Sequence, residues 1–134
     1  MANHLPFERG LKNTVLMTNN SGFSHAGTWH QVYTDTLVDR WHIGDFSSAE
    51  ITISADFDNT KKELLKCLVT CGQDIANVVV YARSNTGTDL LNVTVTVNDS
   101  YVDLIINPTS TDYNGTKFLY TGSYFANLNP LLPW

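Results

Sequence analysis

The 134-residue sequence is short of charge, and of positive charge most of all: charged side chains make up 16%, with eight Lys and Arg against thirteen Asp and Glu. A formal net charge of −5 with so few basic residues argues against nucleic acid as a partner, because neutralising phosphates needs clustered Lys and Arg. No apolar run reaches the ~18 residues that a membrane-spanning helix needs. The opening stretch from Met1 to Gly10 lacks the basic start and apolar core of a secretory signal, so synthesis in a cytoplasm is expected. Cysteine is nearly absent. Cys67 and Cys71 stand four residues apart, which along a strand is about 13 Å. A disulfide needs Cα atoms about 4.4–6.8 Å apart, so the two are expected to be unpaired, buried and inert.

Catalytic and metal-binding spacings are missing too. There is no Cys-x-x-Cys, His-x-His or His-Glu-x-x-His pattern, no Gly-x-Ser-x-Gly elbow and no phosphate loop. Asp56-Phe57-Asp58-Asn59 opens like a calcium loop but lacks the Gly and the distal Glu that complete one, and reads as a polar turn. The reading is of a chain that is not an enzyme and carries no cofactor and no metal.

What remains is a 43% apolar chain of one-domain size, able to bury roughly 65–70% of its unfolded surface. Its apolar residues alternate with the period of two that defines a half-buried strand. The pattern is clearest in Glu50–Asp56, Leu91–Val97 and Tyr101–Ile106, the last two joined by Asn98-Asp99-Ser100 as a hairpin. Trp29–Thr34, Leu37–Ile43 and Lys117–Phe125 also read as strands, the last after an Asn114-Gly115 turn. Val78-Val79-Val80-Tyr81-Ala82 reads as a strand covered on both faces, leaving through a hairpin at Ser84–Gly87. Thr60-Lys61-Lys62-Glu63 has the form of a helix capping box, yet the alternation of Leu65, Cys67, Val69 and Cys71 favours a strand. Eight or nine short strands without helical periodicity predict an all-β, antiparallel, jelly-roll-like sandwich.

The sandwich is expected over residues 14–125, with an N-terminal arm at 1–13 and a C-terminal arm at 126–134. Phe7, Leu131, Leu132 and Trp134 are the candidate interface residues of those arms, since aromatic and aliphatic anchors contribute most to contacts between proteins. Among the rings, Trp41 and Tyr81 read as core. Tyr113, beside Asn114-Gly115, reads as a loop-tip ring able to contact a glycan.

Several separated blocks resemble a module of virion structural proteins of tailed phages, cyanophages in particular. They are Trp41–Asp56, Lys62–Val69, Val79–Arg83, Val97–Val102, Tyr124-Phe125 and Asn129-Pro130-Leu131, in order over about residues 14–132. The resemblance implies a non-enzymatic tail, neck, fibre or head-decoration component, assembled in the host cytoplasm and located in the virion. Its partners would be other copies of itself and other virion proteins, with no nucleic acid and no membrane. The alternative is a carbohydrate-binding module that recognises host surface polysaccharide.

Overall fold

The computed structural model describes the backbone of residues 14–18 and 22–126 and the side chains of residues 31–126. Nine strands occur among them: β1 (Thr14–Thr18), β2 (Gly22–Val32), β3 (Thr36–His42), β4 (Phe46–Phe57), β5 (Lys61–Cys71), β6 (Ala76–Asn85), β7 (Leu91–Asn98), β8 (Tyr101–Pro108) and β9 (Thr116–Ala126). One 3-10 turn, Thr111–Tyr113, precedes β9 and is capped by the Ser110 hydroxyl, which accepts from the Asp112 amide. The strands form a six-stranded sheet in the order β1-β2-β9-β4-β5-β6 and a three-stranded sheet in the order β3-β8-β7. All pairings are antiparallel. The expected all-β sandwich is therefore present. β9 includes Ala126, the first residue assigned to the C-terminal arm, and Phe7, Leu131, Leu132 and Trp134 lie outside the described residues.

Burial follows the period of two. Along β5 the inward set is Glu63, Leu65, Cys67 and Val69, while Lys62, Leu64, Lys66 and Leu68 face out. Ile51, Ile53 and Ala55 of β4 and Phe118, Tyr120 and Tyr124 of β9 face Trp41, Leu91, Val93, Val102, Leu104 and Ile106 of the smaller sheet. Trp41 is the core residue the alternation predicts, with its ring edge-on to Tyr124 at 5.4 Å. Cys67 is buried, Cys71 is half-buried, and the two are unpaired.

The two tight hairpins are where the sequence places them. Asp58 and Asn59 (φ 51° and 59°) turn β4 into β5, and Asp99 and Ser100 (φ 59° and 75°) turn β7 into β8. Ser84–Gly87 differs. There the chain leaves the large sheet and crosses to the small one, so β6 is an edge strand and not a covered one. Tyr81 is 47% exposed at a bulge opposite Lys66 and Cys67, and its hydroxyl reaches across β5 to donate to Glu50 Oε2 at 2.6 Å. A core role for Tyr81 fails because its side chain projects from an edge strand with nearly half of its surface exposed.

Candidate functional site

Three short connections cross between the sheets at one end of the sandwich: β2 to β3, β6 to β7 and β8 to β9. The β4–β5 hairpin turns at this same end, because β4 and β2 both run antiparallel to β9. This end carries both the polar lock that joins the sheets and the open hollows of the surface.

The lock is centred on Glu63. Its position in phase with Leu65 and Cys67 turns it inward, and its side chain has no exposed surface. One carboxylate oxygen accepts from the backbone amides of Leu90 and Leu91, each at 3.0 Å, where the crossing chain enters β7. The other accepts from Arg83 Nη1 at 2.7 Å and from Asn85 Nδ2 at 3.3 Å. A buried carboxylate is tolerated when its charge is paired and its oxygens are satisfied, and both conditions hold. Two further buried carboxylates serve the same kind of role. Asp39 of β3 accepts from the Tyr124 hydroxyl of β9 and so ties the sheets, while Asp103 holds the Arg40 guanidinium through both oxygens at 2.6 and 3.0 Å.

The open part is built around Tyr33, in the bend after β2. Tyr33 is 56% exposed. Gly115 lies against it: a Cβ built there would stand 3.6 Å from Tyr33 Cε1, and the backbone φ of +92° is one that glycine adopts without strain. The β9 entry is fixed to β2 by the Gly115 amide donating to the Val32 carbonyl at 2.7 Å and by Gln31 Nε2 donating to the Gly115 carbonyl at 3.1 Å.

Tyr33 and Asn114 line two hollows. One, of about 460 Å³, continues toward Asp35 and Asn107, and the other, of about 550 Å³, toward Asp58 and Lys117. Asp56 and Lys117 in turn line a third hollow of about 720 Å³ on the outer face of the large sheet, with exposed Leu64 and Leu119 in its wall. The three hollows adjoin in a row from the loops to the sheet face, each sharing lining residues with the next. Within this row Lys62 donates to Asp56, and that hydrogen bond holds the Asp56 carboxyl below its ordinary pKa. Asp35 and Asp58 have no ion-pair partner among the described residues.

Tyr113, the residue singled out for glycan contact, sits at this end but is half-buried. Its ring meets Phe57 edge-on at 5.5 Å, and its hydroxyl lies 3.3 Å from Thr88 Oγ1. The open ring of this end is Tyr33. Its sequence signal is its place just past the last inward residue, Val32, in a polar Thr34-Asp35 bend. Among the described residues no group of three or more His, Cys, Asp or Glu is placed to hold a metal ion, and no helix is long and apolar enough to cross a membrane.

No protein-family model and no curated protein matches the chain. Among solved structures it is similar to the tailspike protein gp49 of Acinetobacter baumannii bacteriophage Fri1, a capsular polysaccharide depolymerase, with a TM-score of 0.50 and 11% identity over 95% of this chain and 22% of that one. The tailspike protein of Acinetobacter phage vB_ApiP_P1 gives a TM-score of 0.49 at 15% identity, over 84% of this chain and 23% of that one. The tailspike protein of Acinetobacter baumannii phage AM24 gives 0.45 at 10% identity, over 94% and 28%. The chain thus spans about a quarter of these tailspikes. What the Fri1 comparison shows is a shared fold over that segment.

Proposed function

We propose that this chain is a module of a tailed-phage virion, placed in the tail or tailspike apparatus, that acts by contact and not by catalysis. The observation that carries the reading is the fold it shares, over 95% of its length, with a segment of a phage tailspike. The blocks from Trp41 to Leu131 that resemble virion structural modules point the same way. One feature supports a non-catalytic role: the buried carboxylates Asp39, Glu63 and Asp103 are engaged in holding strands and sheets together.

The partners on this reading are other virion proteins and further copies of the chain, with Phe7, Leu131, Leu132 and Trp134 as proposed anchors. The direct test is peptide mass spectrometry of purified particles of a phage carrying this gene, separated into heads and tails. The chain should appear in the tail fraction at a fixed ratio to other tail proteins. Its absence from particles, or its presence in the head fraction alone, would overturn the placement. Light scattering on the isolated chain over a hundredfold dilution then tests self-association: a discrete oligomer supports contacts between copies, and a monomer throughout assigns the contacts to other virion proteins.

The exposed Tyr33 favours a second activity for the same module, recognition of host-surface saccharide.

A further inference from the structure

We infer that the track from Asn107 past Tyr33 to Leu119 is a binding site for a linear, uncharged saccharide, with Tyr33 as its stacking platform. The inference deepens the saccharide reading above and names the residues and the ligand class.

Three observations carry it. First, Tyr33 is more than half exposed, and Gly115 at the β9 entry lies beside its ring. A pyranose presents C–H groups on one face and hydroxyls around its rim. An open aromatic face with polar groups beside it matches that distribution. Second, the polar groups beside the ring suit hydroxyls: Asn114 lines the hollows on both sides of Tyr33, and Asn107 and Asn59 stand one in each. An amide both donates and accepts, and so does a sugar hydroxyl. Third, the hollows adjoin one another. Tyr33 and Asn114 are common to the first two, and Asp56 and Lys117 to the second and third, so a chain of sugars running along them would end against the apolar side chains of Leu119 and Leu64.

Charge decides the ligand class. Lys62 is committed to Asp56, and Lys117 also interacts favourably with that carboxylate, whereas Asp35 and Asp58 carry unpaired negative charge on either side of Tyr33. A uronate or sialate lying across the ring would meet carboxylates of its own sign, at a cost that grows as water is excluded. Neutral hexoses, 6-deoxyhexoses and N-acetylhexosamines meet no such repulsion. A peptide strand would also fit an elongated hollow, but it would be read through backbone pairing at a sheet edge. The track crosses a sheet face and a loop end instead.

The test uses the full chain and saturation-transfer NMR with millimolar neutral oligosaccharides of those three types, beside oligogalacturonate as the acidic probe. At least one neutral probe should give transfer that weakens about tenfold in Tyr33→Ala and is retained in Tyr33→Trp and in Tyr101→Ala, a comparably exposed tyrosine elsewhere. Asp35→Lys together with Asp58→Lys should admit oligogalacturonate. Absence of transfer from every neutral probe, transfer that survives Tyr33→Ala, or preference of the unaltered chain for oligogalacturonate would each overturn the inference. None of these outcomes alters where the chain sits in a particle, so the tail assignment stands or falls on the mass spectrometry alone.

Discussion

Glu63 and Tyr33 lie at the same end of one sandwich and are surrounded by similar residue types, yet one environment is closed and the other open. Around Glu63 each polar group is spoken for: the carboxylate accepts from two backbone amides, an arginine and an asparagine, and no part of the side chain meets solvent. Around Tyr33 the polar side chains of Asp35, Asp58 and Asn114 face solvent hollows, and the ring is the most exposed aromatic among the described side chains. The contrast teaches that a count of polar and aromatic residues does not locate a binding surface. What locates it is whether the hydrogen-bonding capacity is already used inside the fold.

The contrast can be broken or sharpened by experiment. The largest effect belongs to Glu63→Ala, which leaves Arg83 without its buried partner and the Leu90 and Leu91 amides without an acceptor. A loss of about 3–5 kcal/mol in urea unfolding is expected. A loss below about 1 kcal/mol would mean that the lock is not a lock.

Next is Gly122→Ala on β9, where the added Cβ would stand 2.8 Å from Tyr124 Cε1 and 2.9 Å from Ile51 Cδ1. Overpacking beside the Tyr124–Asp39 tie should cost about 1–3 kcal/mol, read from the same unfolding curves. A wild-type midpoint would show that the sheets separate freely there.

Cys67, inside the closed region, gives a pH test. Burial pushes its thiol from 9.0 to about 11, with the nearby Arg83 acting in the opposite direction. Because the folded value is raised, this contribution to stability is complete below about pH 9 and is lost as pH rises toward about 11. Iodoacetamide at pH 8 should therefore leave Cys67 unmodified in the folded chain and modify it rapidly in urea, by peptide mass spectrometry. Equal rates in both states would contradict the closure.

The smallest effect on stability is expected at the open region. Tyr33→Ala should shift unfolding by less than about 0.5 kcal/mol while weakening saccharide binding about tenfold. A large loss of stability would move Tyr33 from the binding surface to the scaffold.

Much of this molecule was legible in the sequence because strand periodicity is a local signal. The inward set of β5 is spaced by two, and the Asp58-Asn59 and Asp99-Ser100 turns announce themselves through residues that tolerate positive φ. Glu63 shares that inward phase, so its burial was written in the spacing, but its partners come from β6 and β7 and no local pattern names them. The readings that failed depended on where a strand lies in its sheet. Val78–Ala82 has the composition of a central strand and occupies an edge, and Ser84–Gly87 has the composition of a hairpin and crosses between sheets. Tyr113 and Tyr33 show the same limit. Both stand beside turn residues, and only the packing of Phe57 against Tyr113 and of Gly115 against Tyr33 separates a half-buried ring from an open one.

The most direct test of the contrast is amide chemical-shift mapping of the isotope-labelled chain during titration with the tightest-binding neutral oligosaccharide. The account predicts saturable shifts at Tyr33, Asn114 and Gly115 and along the track to Leu119, with Leu90, Leu91 and Arg83 unmoved. Shifts centred on Leu90 and Leu91, or spread evenly over both regions, would contradict it.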